Sequence, residues 1–192
     1  MTRAFALLLA LVLAGCAPAP RVQVDSELAV GSGETIVVGR VELVPPLRKG
    51  EQRLRGIGTS QYENRIFLLT DERKRALPAD PGFSDFAGRI EATLGSHFFV
   101  RSSSMPFYVL GGFMVLDVGS GMSGARFPGG LRVALKPGDR AVYIGTLRYH
   151  RDEFFEITRV AVVDEYGAAH AEFTRKFGGD VPLRKALMAP AR

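Results

Sequence analysis

The sequence predicts a mostly β protein, an antiparallel β-sandwich with one C-terminal helix packed on it. Three observations carry that prediction. From Glu34 onward, short runs of β-branched and aromatic residues recur between Gly, Pro, Asn and Asp turn signals, at roughly the 8–12-residue spacing of sandwiches. Several of these runs alternate apolar and polar residues, the period of a half-buried strand. After Asp164 the apolar period changes to three and four: Tyr166, Ala169, Phe173 and Phe177 share one helix face.

Each element follows in order. In "ETIVVGRVELV" (Glu34–Val44), Val37, Gly39, Val41 and Leu43 fall on one face and Arg40 and Glu42 on the other; Pro45-Pro46 ends the run because proline has no N–H for a ladder. "NRIFLLTD" around Phe67 is the second run. "GRIEATL" (Gly88–Leu94) and "SHFFVRS" (Ser96–Ser102) are expected to pair across Gly95. "PFYVLGGFMVLDV" (Pro106–Val118) reads as a buried strand pair or one long bent strand, since two glycines interrupt it. A glycine loop follows, and "LRVALK" (Leu131–Lys136) then points Leu131, Val133 and Leu135 inward. Pro137-Gly138-Asp139 is a turn. "RAVYIGTLRYH" and "FFEITRVAVVD" form a hairpin across Arg151-Asp152-Glu153. The helix is capped by Asp164 and stopped by Gly178-Gly179, with a second short helix expected after Asp180.

The N-terminus has a different logic. Arg3 gives a basic start, Ala4–Leu13 is an unbroken apolar run, and small residues precede Cys16. That is the layout of a secretory signal peptide over residues 1–15, too short for a spanning helix of about 20 apolar residues. Leu13-Ala14-Gly15-Cys16 resembles the lipobox of bacterial lipoproteins. The resemblance implies cleavage before Cys16, diacylation of its thiol and usually acylation of the new amine, so that Cys16 becomes a membrane anchor. Ala17 stands where an aspartate would signal inner-membrane retention in the enterobacterial members, which implies an outer-membrane lipoprotein, expected to face the periplasm. Residues 16–33, rich in Ala, Pro, Gly and Ser, read as a flexible tether. The folded unit is expected over residues 34–177, with 178–192 as a tail.

Cys16 is the sole cysteine of 192 residues, so no intrachain disulfide is possible and the core alone must hold the fold. Removing residues 1–15 takes away one charge, Arg3, and lowers the formal net charge from +5 to +4. The basic clusters, Arg48, Lys49, Arg53 and Arg55 and then "DERKR" (Asp71–Arg75), are interrupted by acids and read as solvated loops. Nucleic acid is not an expected partner. An envelope protein is.

"VALKPGDRAVYIGTL", followed by "VVDEYGAAHAEF", is similar to uncharacterised bacterial lipoproteins with a transthyretin-like or carboxypeptidase-regulatory-like β-sandwich. The resemblance covers Gly130–Phe177 and implies a fold but no catalytic residues. An eight-stranded lipocalin barrel is the rival architecture, and a chain without Trp departs from its Gly-x-Trp signature.

No motif requires catalysis. "GSGMSG" (Gly119–Gly124) spells a dinucleotide-binding turn, but that chemistry needs a helix next to hold the pyrophosphate, and "ARFPGGL" cannot supply one. His97, His150 and His170 lack metal-ligand spacing, so neither a metal nor any other cofactor is expected. Ser102, Ser103 and Ser104 read as a polar loop, and Asp152, Glu153 and Glu156 as a solvated turn. Phe98, Phe99, Phe107 and Tyr108 are expected to serve the core and the helix contact. They are also the first place to seek a partner-binding patch, because adjacent strand residues face opposite ways. The expected function is a non-catalytic binding or scaffold module anchored in the envelope. The alternative is an apolar-ligand carrier or small hydrolase with a pocket between sheet and helix.

Overall fold

A computed structural model describes residues 33–51, 62–70, 88–103, 105–117, 122–154 and 156–191. Ten strands and one helix follow in order: β1 (Thr35–Val44), β2 (Arg65–Thr70), β3 (Gly88–Thr93), β4 (His97–Ser102), β5 (Phe107–Asp117), β6 (Met122–Val133), β7 (Ala141–Arg151), β8 (Ile157–Val163), α1 (Tyr166–Phe177), β9 (Leu183–Lys185) and β10 (Ala189–Pro190). They build two packed sheets. One has the order β4-β1-β7-β8, with β9 also on β7; the other is β10-β6-β5-β2-β3.

The sandwich and its helix are as the sequence predicts, with one difference of direction. β1 runs parallel to β7, and β7 parallel to β9, so the first sheet is mixed. Alternation reports which face a residue takes; it carries nothing about the direction of a neighbouring strand.

Two tight turns switch sheets, one of them where a hairpin is expected. β3 pairs with β2 and β4 with β1, so the chain crosses between layers at Leu94–Ser96 instead of folding back on itself. Gly95, at φ +76°, takes the left-handed conformation this crossing needs. The Pro137-Gly138-Asp139 turn likewise joins β6 in one sheet to β7 in the other, closed by Asp139 N–H donating to Lys136 O at 3.0 Å.

β5 is a single long strand with a register shift between Val109 and Gly111. Its partner β6 begins at Met122 and includes "ARFPGG", which the sequence reading had left in a loop. Gly129 explains why: a Cβ there would lie 2.1 Å from the Leu110 carbonyl carbon and 2.2 Å from the Gly111 nitrogen. The glycine lets two backbones touch at the bulge.

Between the sheets lie Val37, Val41, Ile66, Leu68, Val109, Met114, Phe127, Ile144, Leu147 and Tyr149, with Phe127 edge-on to Tyr149 at 4.8 Å. The opposite face of the first sheet is also apolar at one end, where Ile36, Val38, Phe99, Tyr143 and Leu183 meet Ala169 and Phe173 of α1. Thus "TIVV" is buried on both faces, and alternation resumes only past Gly39, where Arg40 and Glu42 turn outward. The helix starts one residue later than Asp164 as N-cap would place it. Glu165 holds that position without a side-chain bond to the helix's own N–H groups, while Asp164 Oδ1 still accepts from Tyr166 N–H at 3.1 Å. Gly178, at φ +82°, ends it and donates to Thr174 O.

The second short helix expected after Asp180 is not formed. Residues 183–190 make β9 and β10 instead, one in each sheet. The free edge of β7 at Ala141–Tyr143 needs backbone partners, and the tail supplies them, adding Ala186 N–H to Tyr143 O and Met188 N–H to Ile144 O, both at 2.9 Å.

Candidate functional site

One end of the sandwich gathers the features that the core leaves unused. Because β1 and β7 are parallel, with Val44 beside His150, their C-terminal ends emerge together. There a cleft of about 460 Å³ opens, lined by Glu42, Leu43, Pro46, Leu47, Asn64, Thr93, Leu94 and Gly95. The prolines stop β1, and the layer crossing supplies the facing wall. Leu94 N–H donates to Asn64 O (2.9 Å) and Gly95 N–H to Val41 O (2.8 Å), so the wall is fixed to both sheets.

A closed set of ion pairs frames the cleft on the outer face of the first sheet. Glu42 accepts from Arg148 at 2.8 and 2.9 Å and pairs with Arg40 at 3.1 Å. Glu165, at the start of α1, accepts from Arg148 at 3.1 Å, from Arg40 at 3.4 Å and from the buried Thr146 hydroxyl at 2.7 Å. Arg40 also donates to Gly95 O at 2.9 Å. Two cations and two anions alternate, so the frame carries no net charge. It ties the helix entry, two strands and the cleft wall into one rigid unit.

A second, more deeply buried pair holds the loop after β1. The Arg151 side chain is 4 % exposed; it donates to Glu51 (2.9 Å), to Pro45 O (3.0 Å) and to Pro46 O (2.9 Å). Taking both charges from water is costly, and the multiple hydrogen bonds are what offset that cost. Three residues on, the β7–β8 connection carries Phe154, the most exposed large apolar side chain among the described residues, at 74 %. Asp152 Oδ1 accepts from the N–H groups of Phe154 (2.8 Å) and Glu156 (2.9 Å), fixing this tip. Among the described residues, the Glu153 and Glu156 carboxylates have no ion-pair partner.

The four aromatics singled out from the sequence are not brought together. Phe98 and Phe107 lie between the sheets, Phe99 lies under the helix, and Tyr108 lies on the far side of the second sheet with Leu69 and Leu110. Their exposures are 5–9 %, and they are divided among three separate clusters. Phe99 packs against Phe177 at 5.3 Å, with the Lys176 ammonium 4.7 Å from its ring centre. The sequence reading had both faces right, and both turned out to be covered.

Cys16 lies outside the described residues, as do Ser104, the segment 118–121 and the basic residues Arg53, Arg55 and 71–75. The helix required by a dinucleotide turn is replaced by β6. His97 Nδ1 meets Glu172 Oε2 at 2.6 Å, His150 is near Arg159, and exposed His170 lies against the Tyr166 ring. Among the described residues, no group of three or more His, Cys, Asp or Glu could hold a metal ion.

Sequence reasoning missed the cleft, the ion-pair frame and the buried Arg151. A signal for the last existed: Arg151 continues the inward register of Leu147 and Tyr149, and a charge in an inward position needs a buried partner. Comparison with protein-family models, with curated proteins and with solved structures finds no match to this chain.

Proposed function

We propose that the protein is an envelope lipoprotein, anchored in the outer membrane through Cys16 and facing the periplasm, and that it acts as a non-catalytic binding or scaffold module. The observation that carries this reading is Leu13-Ala14-Gly15-Cys16 at the end of a ten-residue apolar run, followed by an Ala/Pro/Gly/Ser segment that leads into β1. The geometry of the domain supports recognition rather than chemistry. Its half-buried charges are spent on one another in the Arg40–Glu42–Arg148–Glu165 frame, whereas its exposed, stiffly held features, the rim cleft and the Phe154 tip, are those of a contact surface. In this reading the partner is an envelope protein, met at the loop end of the sandwich.

The carrier or hydrolase alternative places its pocket between sheet and helix. That layer is filled by Phe99, Tyr143, Phe173 and Leu183, none more than 7 % exposed.

The decisive experiment is mass spectrometry of the N-terminal peptide from fractionated membranes, wild type beside Cys16→Ser. The expected result is an acylated peptide beginning at Cys16 in the outer-membrane fraction, absent from the variant. An unmodified N-terminus recovered from the soluble fraction would overturn the anchor.

A further inference from the structure

We infer that the loop end of the sandwich receives a protein segment with an apolar side chain flanked by lysine or arginine. This rests on the recognition reading above and specifies its partner.

The apolar half of the argument is the cleft. Leu43, Pro46, Leu47 and Leu94 form its walls, and about 460 Å³ is room for one or two aliphatic or aromatic side chains. Leu47 is itself 7 % exposed and tucked beneath the rim, so the walls are preformed.

Phe154 belongs to the same end. The Arg151 guanidinium, which binds the carbonyl of the cleft residue Pro46, is three residues before it. The backbone of the turn that carries this exposed ring is already held by two Asp152 hydrogen bonds, so docking need not order it.

The charge half comes from what surrounds that ring. Described carboxylates elsewhere on the domain are largely engaged: Glu42, Glu51, Glu91, Asp139, Asp164, Glu165 and Glu172 all have lysine or arginine partners. Glu153 and Glu156 flank Phe154 and have none among the described residues. Two unspent anions beside an exposed ring, on a chain of positive net charge, select a cationic segment. Arg48, 81 % exposed and 3.9 Å from Glu51, and its neighbour Lys49 are the opposing charges in the loop that Arg151 holds.

The alternative occupant, a lipid surface, fits less well on two counts. Anionic headgroups repel Glu153 and Glu156. The N-terminal segment also enters at the opposite end, because β1 starts at Thr35 and runs ten residues toward the cleft. At about 3.3 Å per residue the strand spans about 30 Å, so the cleft lies that far from Thr35, where the N-terminal segment joins the domain.

The test is methyl and aromatic NMR on the protein labelled at leucine and phenylalanine, titrated with a blocked (Lys-Leu)3 hexapeptide and, separately, with (Glu-Leu)3. Expected are saturable shifts confined to Leu43, Leu47, Leu94 and Phe154 with the lysine peptide and much weaker binding of the glutamate peptide. The double variant Glu153→Gln, Glu156→Gln should bind the lysine peptide about three- to tenfold more weakly, the loss of two exposed charge pairs, and Lys49→Gln should bind it more tightly. These exposed changes leave the fold intact, checked by unchanged signals from Leu68 and Phe127 in the core. Equal binding of both peptides, or shifts spread to Leu187 at the other exposed site, would overturn the inference. So would stronger broadening of Phe154 by phosphatidylglycerol vesicles than by the lysine peptide, which would make lipid the occupant. The readout involves no acyl chain, so failure here and failure of acylation at Cys16 are separate results.

Discussion

Replacing Phe173 with alanine tests whether α1 is an integral layer of the domain. The ring is 1 % exposed and lies between Phe177, 4.9 Å away, and Phe99, 6.4 Å away. A buried phenylalanine removes about 150–250 Å² from water. At about 25 cal/mol per Å² this amounts to about 4–6 kcal/mol. The alanine keeps part of that burial while the cavity adds a penalty, which brings the expected loss to about 3–5 kcal/mol. Against a typical total of about 5–15 kcal/mol, this is a large fraction. Phe154→Ala is the internal control: its ring is in water, so the change should stay within about 0.5 kcal/mol. Urea unfolding followed by far-UV circular dichroism and by tyrosine fluorescence measures both, since the chain has five Tyr and no Trp. A loss below about 1 kcal/mol for Phe173→Ala, or equal losses at the two positions, would refute the helix-on-sheet packing.

Three further outcomes follow from the same geometry. The Arg184 guanidinium, hydrogen-bonded to Asp139 and itself the larger cause, holds that carboxyl below its ordinary range, and Arg184 is pushed up in turn. A depressed carboxyl stabilises the fold above the unfolded value, about pH 3.9, and loses that contribution as pH falls through the folded one. Arg184→Met should therefore cost about 1–2 kcal/mol at pH 7, with the gap to wild type closing in urea melts as the pH falls below the unfolded value; a gap independent of pH would sink the assignment. Burial pushes the Tyr149 phenol up, and its hydroxyl has no hydrogen-bond partner among the described residues. Tyr149→Phe should be neutral or raise stability by about 1 kcal/mol, and a loss larger than that in the same melts would show that the hydroxyl is bonded. Gly129→Ala forces a methyl into the Leu110–Gly111 backbone and should cost more than about 3 kcal/mol or prevent folding, whereas Gly124→Ala, with open space around the added carbon, should be tolerated when soluble yields are compared.

The faces of the strands were legible from the sequence because alternation is a local property. Val37, Val41 and Leu43 turned inward and Arg40 and Glu42 outward, and Tyr166, Ala169, Phe173 and Phe177 formed one helix face. Partner choice was not legible. "GRIEATL" and "SHFFVRS" alternate as a hairpin would, yet Gly95 carries the chain between layers, and nothing in two adjacent strands' own residues distinguishes folding back from crossing over. The three-residue β9 is too short to show any period, and it exists because β7 has an edge to fill. The loop-end features were hidden for a related reason. Arg151 and Glu51 are 100 positions apart, as the chain runs, and become partners only once β1 and β7 lie parallel.

That parallel pairing also determines what the loop end can do. In an antiparallel neighbour, β7 would deliver its C-terminus, and with it Phe154, Glu153 and Glu156, to the end where β1 begins. Running parallel, it delivers them to the end where β1 stops, where Arg151 donates to Pro46 O, a strand's length from Thr35. The same pairing lets Arg148 reach Glu42 and Glu165 together, so the helix, the cleft wall and the strand that carries the tip are braced by one set of charges. The cleft and the start of β1 at Thr35 are thereby separated by the length of a strand.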